Sequence, residues 1–194
     1  MVGEEPRIMP GGPVITIGGL HGVGKSTHSE LLSKLLGLEY VSTGLIFRDL
    51  AKQRGLSLIE LTKVSAEDRS IDLQIDNLSK ERLMKGGIVF DSLLAPHLSV
   101  GFEALRIYLF APIEVRMARI AEREKRNLDE IWQETLFREK LEIQRFKEYY
   151  DIDMSDTSAY HLLLDTSLMR IDDNVKILME ASKVYIERRW PNWR

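Results

Sequence analysis

Residues Gly19 to Ser26, "GLHGVGKS", carry glycine, lysine and serine at the spacing G-x-x-x-x-G-K-[ST]. That spacing builds a phosphate cradle, because glycines let backbone N–H groups turn inward toward an anion. A helix starting near Lys25 adds the positive end of its dipole. Lys25 reaches the β- and γ-phosphates of a nucleotide, and Ser26 offers its hydroxyl to Mg²⁺. The candidate nucleotide ligands are therefore Gly19, Gly22, Gly24, Lys25, Ser26 and Thr27. His21, at the loop tip, is expected to be merely exposed. Asp91 ends the apolar run "GIVFD", where a strand-end carboxylate can hold Mg²⁺ or its water shell. Its other reading is a helix N-cap.

Arginines form the second group. Arg116, Arg119, Arg123 and Arg126 are spaced 3, 4 and 3 apart, which places them on one face of a helix. Arg138, Glu142 and Arg145 repeat that spacing one segment later. Interleaved Glu114, Glu122, Glu124 and Glu139 also fit a solvated, salt-bridge-laced surface. Beside a phosphate loop, however, several guanidinium groups suit the transfer of a phosphoryl group between two phosphorylated substrates. No N-K-x-D stretch is present to read guanine, which argues against a GTP switch.

The elements that must position these groups alternate. "PVITIGG" suits a strand and "GKSTHSELLSKLLG" a helix stopped at Gly37. "LEYVS" is a short second strand, followed by the helical "LIFRDLAKQRG". Helical patterning covers Leu56 to Lys85, broken around Ala66 to Arg69. "GIVFD" and "ALRIYLFAP" are further strands, and a charged helical region runs from Ile113 to about Tyr150 with a break near Arg126 and Asn127. "YHLLLDTS" is a fifth strand before a helix from about Ile171 to Ile186. This order predicts an α/β fold, a five-stranded parallel sheet with helices on both faces.

The chain has 194 residues, 44% apolar and 29% charged, with a net charge of −3 and no cysteine. That is one domain's worth of chain. Disulfides, thiolate catalysis and cysteine-ligated zinc are excluded. No apolar run approaches the roughly 20 residues of a membrane span, and an acidic total argues against a nonspecific polyanion binder. Residues 1–12 read as a flexible arm without the apolar stretch of a secretion signal, so a cytoplasmic location is expected. Residues 13–194 form the single domain. The tail "ERRWPNWR" alternates guanidinium and indole groups, as single-stranded nucleic-acid surfaces can, but packing of Trp190 and Trp193 on the body or on a second subunit is the simpler expectation. Monomer and homodimer both remain open.

From Val14 to Val184 the chain resembles the nucleoside monophosphate kinases, and most closely the archaeal-type cytidylate kinases. The resemblance rests on "GKST", "STGLIFRDLAKQRGLSL", "GIVFD", "APIEVRMARIAERE", "FREKLEIQRFKEYYDID" and "LLLDTS". It implies a three-layer P-loop fold, ATP and Mg²⁺ as cofactors and small nucleotides as substrates. Acceptor-binding helices would span about 45–86 and a small helical lid about 120–135. It implies that Lys25 and Ser26 hold ATP phosphates and Mg²⁺, that Arg48 grips the acceptor's phosphate, and that Arg119 lies against the adenine. Arg123, Arg138 and Arg145 would neutralise the phosphates during transfer, with Asp91 and Glu142 on the acceptor side. Five positions depart from the family pattern: Leu93 and Ile143 replace arginines, Pro96 a glycine, and Leu78-Ser79 an Arg-Gln pair. They suggest a changed acceptor. The expected reaction is phosphorylation of CMP or dCMP, with another metabolite, a polynucleotide end or a non-catalytic ATP-binding role as alternatives.

Overall fold

The structure is a computed structural model that describes residues 8–193. Its centre is strand β1 (Val14–Gly18), which pairs in parallel with β3 (Ile88–Asp91) on one side and β4 (Leu105–Phe110) on the other. The outer strands are β2 (Glu39–Ser42) beside β3 and β5 (Leu162–Asp165) beside β4, giving the order β2-β3-β1-β4-β5. All four pairings are parallel, as the short apolar runs require when both faces are covered.

Alternation along β1 sorts the core into two layers. Ile15 and Ile17 pack with Leu32 of α1 (Lys25–Leu36) and Leu178 of α8 (Ile171–Arg189). On the opposite face Val14, Ile88 and Phe90 pack with Leu83 of α4 (Arg69–Lys85) and Ala95 of α5 (Ala95–Leu98). Each of these fully buried Val, Leu, Ile and Phe side chains contributes roughly 1.5–3 kcal/mol. The single turn α5 has no counterpart in the sequence pattern, since four residues are too few to show a period.

Two further helices, α2 (Thr43–Gln53) and α3 (Leu58–Glu67), join α4 between β2 and β3. Ser57 and Glu60 form a reciprocal capping box at the start of α3, and Asp68 caps α4 through the Ser70 N–H, so the break around Ala66 to Arg69 is a change of helix. The charged region divides into α6 (Ile113–Glu124) and α7 (Leu128–Tyr150). Their junction is a left-handed Lys125 at φ 54° followed by Asn127, whose side chain accepts from the Asp129 and Glu130 N–H groups. The segment expected as a lid is thus two helix ends and a tight turn.

Residues 1–7 of the expected arm lie outside the described residues. From Ile8 onward the chain is anchored: the Ile8 N–H donates to Gly101 O, and the Gly11 N–H to Met84 O. At the other end Trp193 lies against Gly12 and Gly87, and the Trp190 indole donates to the Tyr185 hydroxyl at 3.4 Å. The tail packs on the body. No described helix is long and apolar enough to cross a membrane.

Candidate active site

Strand order reverses about β1, since the chain leaves it toward β2 and returns past it to β4. Ligands of open parallel sheets bind at such a point, outside the carboxyl ends of the strands. Here the carboxyl end of β1 runs into the phosphate loop, at the floor of a cleft of about 1430 Å³. One half of the cleft lies over β4 and β5, lined by Arg119 and by residues 169–172 at the start of α8. The other lies over β2 and β3, walled by α2, α3, α4 and α5.

The loop needs its glycines. Gly22 and Gly24 have φ of 82° and 91°, and a Cβ on Gly22 would stand 2.5 Å from the Arg116 carbonyl oxygen. The Lys25 ammonium donates to Gly19 O at 2.6 Å and Leu20 O at 3.0 Å, so it already lies within the loop. Burial lowers its pKa, against the opposing pull of Asp91, Glu142 and Glu139. The Ser26 hydroxyl donates to Asp91 Oδ2 at 2.7 Å, and the Tyr40 hydroxyl donates to the same oxygen at 3.1 Å. Asp91 is therefore the strand-end partner of the loop serine and caps no helix. A hydroxyl and a carboxylate side by side form a hard-oxygen pair suited to Mg²⁺, which characteristically takes one or two protein oxygens and completes its shell with phosphate and water. Thr27 also lines the cleft.

The arginines expected on one helix face separate into different tasks. Arg116 is buried and bridges to Glu139 at 2.6 Å, while donating to the His21 carbonyl at 2.9 Å. The His21 N–H donates to Glu139 at 3.0 Å, and its ring Nε2 lies 2.8 Å from Glu142. His21 is thus tied on both sides to α7, contrary to the exposed loop tip expected. Arg119 donates to the Thr166 hydroxyl and carbonyl at 2.9 and 2.8 Å, which fixes it at the cleft edge. Arg123 lines the cleft but is paired outward with Glu124 at 2.7 Å. Arg126 pairs with Glu134, Glu124 and Glu130 on the surface.

On α7, Arg138 and Glu142 stand 3.7 Å apart and face the loop. Burial would raise the Glu142 carboxyl, but His21, Arg138 and Arg145 outweigh it and hold the pKa down at about 2. With one oxygen near His21 and the other near Arg138, Glu142 serves the loop and its arginine. Arg145 is buried, donates to the Ser65 hydroxyl, lies 3.2 Å from Asp72 and stacks on Phe146 with 5.2 Å to the ring centroid.

Arg48 lines the acceptor half and has no side-chain partner among the described residues. Leu93 also faces this half, packed with Leu94, Phe146 and Met154. Leu78 and Ile143 are exposed and do not line the cleft, and Pro96 is buried. Ser79 is buried outside the cleft lining, so of the five departures only Leu93 bears on the cleft, and the case for a changed acceptor loses most of its weight.

Two carboxyls in this half carry no sequence motif. Asp72 and Asp76, 5% and 7% exposed, line the cleft from one face of α4. Burial pushes the Asp72 pKa up to about 6 in spite of Arg145, and raises Asp76 as well. A usable signal did exist: each follows an isoleucine, Ile71 and Ile75, four residues apart on the inward stripe of α4, so the acids border the core.

Comparison with known proteins agrees with this geometry. Residues 14–168 match the model of the cytidylate kinase-like family. A cytidylate kinase of Aeropyrum pernix is 42% identical over 167 residues, covering 86% of this chain and 97% of that one. Another, from Staphylothermus marinus, is 37% identical over 174 residues, covering 90% and 98%. The solved shikimate kinase of Acinetobacter baumannii superposes with a TM-score of 0.57 at 15% identity over 92% of this chain and 95% of that one. A gluconokinase of Sinorhizobium meliloti gives 0.59 at 12% over 94% and 98%. These two establish the three-layer P-loop kinase fold, and the chain belongs to the cytidylate kinase-like family.

Proposed function

We propose that the chain transfers the terminal phosphoryl group of ATP to CMP or dCMP. One observation carries the reading: a single cleft joins an anion cradle around Lys25 to a second half holding Arg48 and Arg145, with Arg138 facing the loop. That is a layout for two phosphorylated ligands, and relatives 37–42% identical over nearly the whole chain are named cytidylate kinases.

In this reading the loop N–H groups and Lys25 hold the donor's phosphates, and Arg119 with residues 169–172 at the start of α8 borders its base. Arg48 takes the acceptor's phosphate. Ser26 and Asp91 would hold Mg²⁺, which supplies neutralisation of the donor's phosphate charge. Arg138 and Arg145 then need only be positioned, because phosphoryl transfer asks the protein for alignment and charge neutralisation more than for covalent chemistry. Glu142 orients Arg138 and, through His21, the loop. The α6–α7 junction, together with Arg123 in the last turn of α6, would close over the donor and exclude water. Substrates of this kind suit a cytoplasmic location.

The test is ADP release from ATP and Mg²⁺ with CMP, dCMP, UMP, AMP, GMP or a short RNA offered separately, beside a Lys25→Ala control. Turnover confined to CMP and dCMP, and lost in the control, is the expected result. Turnover with another acceptor in preference, or none with any monophosphate, would overturn it.

A further inference from the structure

The charged side chains that wall the acceptor half fall into two sets. Arg48 and Arg145 are cations and suit a phosphate. Asp72 and Asp76 remain, set in a wall otherwise made by Phe47, Leu58, Ile75 and Leu94. A phosphate is repelled by carboxylates, so these two face another part of the acceptor. Each has one oxygen turned toward a protein group. The Tyr150 hydroxyl donates to Asp76 Oδ2 at 2.7 Å, and Asp72 Oδ2 lies 3.2 Å from Arg145 Nε. The second contact is misaligned, and both of its atoms are buried without a hydrogen bond. Neither Oδ1 has a protein partner among the described residues.

An apolar slot with acceptor oxygens on one wall selects a flat ligand with a donor edge, because unpaired buried polar groups are costly and a ligand that satisfies them gains by the difference. Among pyrimidines, cytosine presents an amino group where uracil presents a carbonyl oxygen. Resting on the CMP reading above, we propose that Asp72 and Asp76 read the acceptor base, accepting hydrogen bonds from the exocyclic amino group of cytosine and thereby rejecting uracil. Asp72's raised pKa fits this role, since near neutrality a fraction of it is protonated and donates to the ring nitrogen beside that amino group. Leu93 contributes only an apolar wall to the slot, so base discrimination falls to α4.

Steady-state kinetics of the full chain with CMP and with UMP test the inference. In Asp76→Asn the amide can donate to a carbonyl as well as accept from an amine. The kcat/KM ratio of CMP to UMP is expected to fall about 10- to 100-fold, through a rise in the KM for CMP. Asp72→Asn should lower the ratio in the same direction. Equal losses for both substrates would mean that the two acids only support Arg145 and α4, and would overturn the inference. Should a variant fail to fold, the parent protein decides the matter with the pyrimidine monophosphate that lacks the 4-amino group. A KM at least tenfold above that of CMP upholds the donor-edge reading, and a KM equal to that of CMP refutes it. No turnover of CMP by the parent would overturn the acceptor assignment itself, a result separate from turnover with an unchanged ratio.

Discussion

Glu142, beside the phosphate loop, and Asp72, on the far wall of the same cleft, are 6% and 5% exposed, yet their acidities move in opposite directions. Burial pushes both upward, but around Glu142 the opposing charges of His21, Arg138 and Arg145 prevail, whereas around Asp72 those of Arg145 and Arg69 do not, and Asp76 and Glu142 add to the rise. The donor half is therefore a closed network whose charges answer one another. The acceptor half keeps carboxyls that the protein leaves partly unanswered. The first arrangement fixes a loop, and the second waits for a ligand's hydrogens.

The sharpest way to break the donor half is to open its buried pair. Glu139→Gln leaves Arg116 uncompensated beside the His21 carbonyl, and removing one partner of a buried pair costs about 3–5 kcal/mol. Urea unfolding should show that loss. A loss under about 1 kcal/mol would mean that solvent reaches Arg116 and that the network is looser than its distances imply. Lys25→Ala should follow in size, with turnover reduced about 10²–10³-fold or more and stability unchanged or improved, because a buried ammonium disfavoured by desolvation has been removed. A variant that lost activity only through unfolding would contradict that division. On the other side, Arg48→Ala should raise the KM for the acceptor about 10- to 100-fold, leaving the KM for ATP and the unfolding midpoint nearly as they were. An equal effect on both KM values would erase the boundary between the halves.

How legible each half is in the sequence follows from the same contrast. A backbone cradle demands glycines at positive φ, a lysine and a hydroxyl within eight consecutive residues, so the donor half leaves a local signature, and Asp91 adds one more at a strand end. Five strands and, apart from the single turn α5, their helices were equally readable, because buried parallel strands are short apolar runs. Contacts between distant segments were not. His21 looked like a loop tip because its partners, Glu139 and Glu142, lie more than a hundred residues away. Arg116 and Arg126 shared a helical spacing with Arg119 and Arg123, yet the break at Lys125 ends that helix, and Arg116 turns toward α7. Leu78 and Ile143 counted as acceptor-side losses until the phase of their helices set them outward. Asp72 and Asp76 passed unnoticed because two acids four residues apart normally mark a solvated face.

The pH dependence of stability provides the finest separation of the halves, because the two carboxyls act in different windows. Glu142, held at about 2 against an ordinary 4.5, contributes stability present above 4.5 and lost as pH falls through about 2. Asp72, raised from 3.8 to about 6, behaves in the opposite sense: the folded protein binds its proton more tightly than the unfolded chain, so that stability is present below 3.8 and lost as pH rises through about 6. Glu142→Gln should therefore flatten the acid limb of the unfolding free energy. Asp72→Asn should flatten the limb between about pH 4 and 6, leaving the variant more stable than the parent at pH 7 by up to about 3 kcal/mol and nearly equal to it at pH 4. Such a gain would show that the fold carries Asp72 at a cost in stability, as positions selected for binding commonly do. A variant less stable than the parent at pH 7 would instead make Asp72 a structural partner of Arg145 and remove the contrast between the halves.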